Sequence, residues 1–238
     1  MGRGEFLTTR WSLVEAAGAA DGERARAALS ELCAEYWFPL YAYVRRCGVG
    51  ADEAQDVVQG LFADLIGRGD LARLTRGVGR FRGFLKTAVR HHLANLRDRE
   101  RAEKRGGGRV RLAVDFEGAA ERFERQGGRE ADPERAFDRL WALELIERCV
   151  AELEAEYAAS GRGAVFAELK GALQGGDEGI DYAAVAERLS TGEGALRVAA
   201  HRLRKRFGER LRARIAETVA RPEEVEPELD ELFRALGP

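Results

Sequence analysis

The stretch from Glu193 to Phe207, EGALRVAAHRLRKRF, decides how the chain is read. At about 100° per residue, Leu196, Ala200, Leu203 and Phe207 fall on one arc, and Leu211 and Ile215 continue it. That is the pattern of an amphipathic helix with one face against a core. Arg197, His201, Arg204 and Lys205 fall on another arc, with Val198 and Arg202 beside them. Alone, such a face reads as solvated helix surface. The preceding residues, IDYAAVAERLSTGEGALRV from Ile180 to Val198, change that reading. Asp181 is placed to cap a short helix whose apolar side is Tyr182, Val185, Ala186 and Leu189. Ser190 to Gly192 break it. Thr191 is expected as the N-cap of the next helix, and Glu193 suits its positive end. A short helix, a Gly-containing turn and a longer helix make a helix-turn-helix. In that motif the second helix enters the major groove with its N-terminal half toward base edges. The pattern assigns Arg197, Val198, His201 and Arg202 to bases. Arg204, Lys205 and Arg206 fall to phosphates, which fix position without specifying sequence. A helix pair that merely packs is the structural alternative.

The chain has 238 residues, enough for one large or two small domains, and a formal net charge of only −2. Its charge is unevenly spread. Arg80 to Arg105 carries about +6 and Arg197 to Arg214 about +7. Acidic stretches from Asp132 to Glu156 and from Glu217 to Glu231 offset them. Two separated basic clusters imply two contacts with a polyanion. No apolar run approaches the length of a membrane span, and the N-terminus has no apolar core of a signal peptide. Cys33, Cys47 and Cys149 are scattered, without metal-ligand spacing, and read as buried free thiols in a reducing cytoplasm.

Periodicity predicts an all-α fold of two helical domains joined by a flexible linker. Residues 23–47 give a helix or a joined pair, with Leu29, Leu32, Tyr36, Leu40, Tyr43 and Val44 inward and Pro39 expected to kink or divide it. Residues 52–67 give a second helix, with Ala54, Val57, Val58, Leu61, Phe62 and Leu65 inward. Residues 80–104 give a third, basic helix, whose apolar content is Phe81, Phe84, Leu85, Ala88, Leu93 and Leu96. Residues 105–131 open on RGGG, are weakly periodic, and read as the linker. Asp132-Pro133-Glu134 restarts helix. A long helix follows to about Tyr157, then one from about Gly163 to Leu173. The divisions are thus 1–22, 23–104, 105–131, 132–216 and an acidic extension, 217–238.

In the third helix, Arg80, Arg82, Lys86 and Arg90 carry charge beside Phe81 and Phe84. Basic side chains with interleaved aromatics suit a single strand. Phe84 is expected in the core, while the position of Phe81 stays open. His91 and His92 are adjacent, so they point about 100° apart and do not share an ion. No metal, cofactor or catalytic constellation is expected, so the chain does not read as an enzyme.

These residues resemble the bacterial sigma factors of RNA polymerase, in the small extracytoplasmic-function group. DEAQDVVQGLFADLI, from Asp52 to Ile66, is similar to that family's core-polymerase-binding helix. GRFRGFLKTAVRHHLANLRDR resembles its promoter-melting segment, which holds the minus-ten element. YAAVAERLSTGEGALRVAAHRLRKRF resembles its minus-thirty-five reader. A subgroup with an N-terminal TTRWSLV, here Thr8 to Val14, and an acidic C-terminal extension, here from Glu217 through Phe233, is closer still. The resemblance implies a dissociable, noncatalytic subunit. Asp52, Glu53, Asp56, Gln59 and Phe62 would bear on or support the surface that meets the largest-subunit coiled coil, with the flap as a further contact. Arg73, Arg76, Arg80, Phe81, Arg82, Lys86 and Arg90 would hold the melted strand. The linker would thread the polymerase cleft. A regulatory anti-sigma protein would be a partner of both domains. Phe84 and Leu85 stand where relatives carry Trp or Tyr, Gly60 where an acid is common, and Val198 where a polar residue is frequent. The alternative is a free-standing helix-turn-helix regulator that binds DNA without polymerase. A metal-dependent nuclease would need a ligand cluster that the sequence lacks.

Overall fold

The computed structural model describes residues 23–67, 80–102, 118–127, 131–175 and 180–237. Among the described residues every regular element is helical. The elements are α1 (Glu23–Arg46), α2 (Ala51–Gly67), α3 (Phe81–Ala102) and α4 (Ala119–Arg122), which runs on as a π-helical turn, Phe123–Gly127. Then come α5 (Pro133–Ala159), α6 (Gly163–Leu169), α7 (Ala172–Gly175), α8 (Tyr182–Arg188), α9 (Glu193–Ala216) and α10 (Val225–Leu236), the last preceded by a 3-10 turn at Pro222–Glu224. No described helix is long and apolar enough to cross a membrane. The chain divides into two compact units, one from 1–143 with 215–238, the other from 144–214.

In the first unit α1, α2 and α3 pack on one another. The spacing expected for α2 holds throughout: Ala54, Val57, Val58, Leu61, Phe62 and Leu65 are all buried. On α1, Leu32, Tyr36, Leu40, Tyr43 and Val44 are buried as expected; the side chain of Leu29 lies outside the described residues. Pro39 neither ends nor divides α1. It is flanked by the buried Phe38, Leu40 and Tyr41, and burial on this scale outweighs the roughly 3 kcal/mol a mid-helix proline costs. On α3 the buried line is Phe81, Leu85, Val89 and Leu93, at steps of four. Phe84, Ala88 and Leu96 are only half-buried, so the core face is rotated slightly from the expected one. Phe81 meets Tyr36 edge-on, with ring centroids 5.3 Å apart.

This grouping departs from the expected division at two places. The second half of the 105–131 stretch is not a bare tether. Ala119 and Phe123 are buried, and the Phe123 ring meets Tyr41 of α1 at 6.2 Å, with the Arg45 and Arg46 guanidiniums at 5.0 and 4.8 Å from its centroid. The acidic extension groups with the first unit, because Leu229 and Leu232 are buried and its carboxylates bind arginines of the α3 segment.

The second unit has its own apolar core. Leu153 and Tyr157 of α5, Phe166 and Leu169 of α6, Tyr182 and Val185 of α8, and Leu196, Ala200 and Leu203 of α9 form one cluster. The helix expected over 163–173 is interrupted at Lys170 and Gly171. Two of its helices end in the same way. After α5, Arg162 N–H donates to the Tyr157 carbonyl at 2.8 Å and Gly161 N–H to Ala158 at 3.0 Å. After α8, Thr191 N–H donates to Ala186 at 3.0 Å and Ser190 N–H to Glu187 at 3.2 Å. Each is a Schellman closure, which needs a left-handed residue. Gly161 supplies it with φ 71°, and Ser190 supplies it with φ 49°.

Candidate nucleic-acid interface

The helix-turn-helix is built as its sequence predicts, with one correction. Asp181 accepts a hydrogen bond from Ala184 N–H at 3.1 Å and caps α8. Thr191 does not cap α9. Its N–H closes α8, and α9 begins at Glu193, with the Gly192 carbonyl accepting from Leu196 N–H at 3.2 Å. The turn thus spends Ser190 and Thr191 on ending the first helix.

Leu196, Ala200 and Leu203 anchor α9 in the core. Arg197, Val198, His201, Arg202 and Lys205 are all exposed. At about 100° per residue they share one arc of about 140° over the helix's N-terminal half. Val198, 49% exposed, is one of two large apolar side chains so exposed among the described residues. Arg197 lies over the Tyr182 ring at 4.4 Å from its centroid, which ties the first position of the arc to α8. Its contact with Glu193 at 3.8 Å, and that of Lys205 with Glu209 at 3.9 Å, are exposed pairs of little strength. Arg204 is half-buried and belongs to the edge of the arc.

Beyond Lys205 the basic character of α9 turns inward. Arg206 pairs with Glu156, Arg210 with Glu152 at 3.2 Å and Glu156 at 2.8 Å, and Arg214 with Glu152. Arg206, assigned to phosphates from the sequence, is therefore engaged with α5. The acidic stretch of α5 and the basic stretch of α9 are partners.

The first basic cluster is also engaged. Arg82 is only 5% exposed. Its Nε and Nη2 form a two-pronged contact with Glu228, at 2.5 and 3.0 Å, and it also reaches Glu231 and Asp138 at 2.5 Å each. Burial disfavours its charge, but the Glu228 and Asp138 carboxylates outweigh that and raise its pKa. Arg80 pairs with Glu228 at 2.7 Å and with Glu231. Lys86 reaches Asp138 at 3.0 Å and Glu134 at 3.7 Å, and Arg90 reaches Glu134 at 3.5 Å. Arg82 is stacked near Trp141, 5.0 Å from the ring centroid. So Arg80, Arg82 and Lys86 face the chain's own carboxylates, and Phe81 is a core residue. Among the described residues of the strand-holding set only Arg90 is mainly exposed. Arg73, Arg76 and the TTRWSLV segment lie outside the described residues.

On α2, Asp52, Glu53 and Asp56 are exposed, and Gln59 is half-buried. Asp52, Asp56 and Gln59 follow one face at i, i+4 and i+7. Phe62 is 3% exposed and supports that face from within. Gly60 sits where α3 comes close: a Cβ there would lie 3.2 Å from Nε2 of His92. His92 itself contacts Asp64 through Nδ1 at 3.1 Å. Among the described residues no three His, Cys, Asp or Glu side chains cluster as metal ligands. Burial pushes the Cys33 and Cys149 thiols up, to about 12 and about 11.

Comparison with known protein families, with curated proteins and with solved structures finds no match to this chain. The class stated from the molecule itself is a helical protein with a helix-turn-helix unit. What reading the sequence missed is the role of Glu228, Glu231 and Asp138 opposite Arg80, Arg82 and Lys86. The signal available was an acidic tail at helical spacing, with no indication of which basic face it would meet.

Proposed function

We propose that this chain is a sigma factor of the small two-domain kind, a subunit that joins core RNA polymerase and directs promoter recognition and melting. The observation that carries the reading is the exposed arc of α9, Arg197, Val198, His201, Arg202 and Lys205, on the second helix of a helix-turn-helix. An arginine or histidine at these positions suits acceptors in the major groove, and Val198 suits a thymine methyl. The acidic and amide face of α2 supports the polymerase half of the reading, since Asp56 and Gln59 suit arginines of a partner helix. Two domains, a linker between them, a minus-ten contact in the α3 segment and a minus-thirty-five contact in α9 make up the working arrangement. A cytoplasmic location follows from that role.

Run-off transcription with purified core polymerase and the chain's own upstream DNA tests it. Specific initiation that is lost with Asp56→Ala is the expected result. No initiation and no co-elution with core would overturn the reading in favour of a free-standing regulator. That alternative predicts symmetric operator binding as a dimer, unaffected by alanine at Asp56 and Gln59.

A further inference from the structure

The acidic C-terminal helix α10 lies on the one basic cluster that the proposed function reserves for a single strand. Glu228 fills the Arg82 fork through two hydrogen bonds, at 2.5 and 3.0 Å. That planar, two-pronged geometry is the one an arginine offers to a phosphate. Glu231 reaches both Arg80 and Arg82. Asp138 and Glu134, at the start of α5, do the same for Lys86 and Arg90. Every described cation of the cluster thus already holds a carboxylate. We propose that α10 is an intramolecular mask, whose carboxylates occupy the phosphate positions of the strand-binding site until a nucleic-acid strand or a polymerase contact displaces the helix. The inference rests on the strand-binding role assigned to the α3 segment.

The attachment suits a displaceable element. α10 has twelve residues, short enough to be marginal as a helix when undocked. Its apolar hold is Leu229 and Leu232, while Phe233 on the same helix is 51% exposed. The rest is charge: Glu228 and Glu231, with Arg139 donating to the Leu236 carbonyl at 3.1 Å. Ion pairs are the contacts that a polyanion competes for directly. A buried pair is also weak evidence of a purely structural purpose, since apolar residues of similar volume stabilise a core at least as well. A site open only part of the time binds more weakly in proportion to its closed fraction.

The test is anisotropy of a fluorescein-labelled single-stranded oligodeoxynucleotide, titrated with the full chain and with Glu228→Gln/Glu231→Gln. Asp230→Asn, an exposed charge on the same helix, controls for bulk charge. The double variant is expected to bind about tenfold tighter. Its log–log salt slope is expected to steepen by about 1.4, as Arg80 and Arg82 lose their α10 carboxylates and become available to phosphates. Asp230→Asn is expected to match the parent. Circular dichroism establishes that each variant is folded. Because the double variant leaves Arg82 under-partnered, hydrogen exchange on the unaltered chain gives an independent reading. With oligonucleotide bound, amides of 225–236 should lose protection. Equal affinity and slope in a folded double variant, or undiminished α10 protection in the bound chain, overturns the mask and leaves the strand-binding reading standing. Absence of strand binding by every form, with no initiation in the transcription assay, overturns both.

Discussion

Arg82 is held by carboxylates from two elements, and removing it leaves Glu228 buried with its ion pair to Arg80. Breaking such a buried set from one side costs about 3–5 kcal/mol. Arg82→Ala is therefore expected to lower stability by that order in urea unfolding. Ser190 makes the opposite prediction. It holds a left-handed conformation, φ 49°, at the junction of the helix-turn-helix. Ser190→Gly removes the Cβ conflict, but glycine also has more freedom to lose on folding. The expected gain is about 0.5 kcal/mol, whereas Ser190→Val is destabilising by more than 1 kcal/mol or so. The thiols differ in the same local way. Burial pushes Cys33 and Cys149 up to about 12 and about 11, while Cys47 is only half-buried. Iodoacetamide at mildly alkaline pH should label Cys47 first, read by mass spectrometry, since the thiolate is the reacting form.

At the scale of elements, α9 separates two kinds of residue that one basic helix mixes in sequence. Leu203→Ala empties a site that is 0% exposed and is expected to cost about 2–5 kcal/mol. Arg202→Ala, on the exposed arc, should stay within about 0.5 kcal/mol of the parent in thermal melts. It should weaken duplex binding all the same. The clasp between α10 and α3 adds a pH dependence. Burial works to raise the Glu231 carboxyl, but Arg80 and Arg82 outweigh it and hold it below its ordinary 4.5. Glu228 on its own helix shares both arginines with it, and Asp138 of α5 shares Arg82. Since the folded value is the lower one, this contribution is complete above about 4.5 and is lost as pH falls through the folded value. The difference in Tm between the parent and Glu231→Gln should therefore narrow in acid, and persist at neutral pH.

Across the whole molecule, what could be read ahead followed from periodicity. The six inward residues of α2, the core line of α9 and the Asp181 cap all stand where spacing puts them. Those are local properties, fixed by 3.6 residues per turn and by capping chemistry. What could not be read was pairing between distant segments. Phe123 was set in a weakly periodic stretch, yet it packs on Tyr41. Glu228 meets Arg82 across 146 positions. Ionic matching has no period, so a tail rich in Glu gives no register for its partner. The exposed arc of α9 was legible for the same reason that its core was: five exposed residues and a buried line share one helix. The burial of Arg82 was not legible, because it depends on what another segment covers.

The pairing of Arg206, Arg210 and Arg214 with Glu152 and Glu156 has a kinetic consequence. Those pairs offset much of the charge of the second half of α9, so more of its exposed basic side chains lie in the first half, from Arg197 to Lys205. A uniformly charged rod would attract a polyanion equally along its length and leave orientation to trial after collision. A lopsided one exerts a torque at a distance of about a Debye length, near 10 Å. The unit would arrive already turned, so that diffusion delivers aligned encounters and fewer of them are wasted.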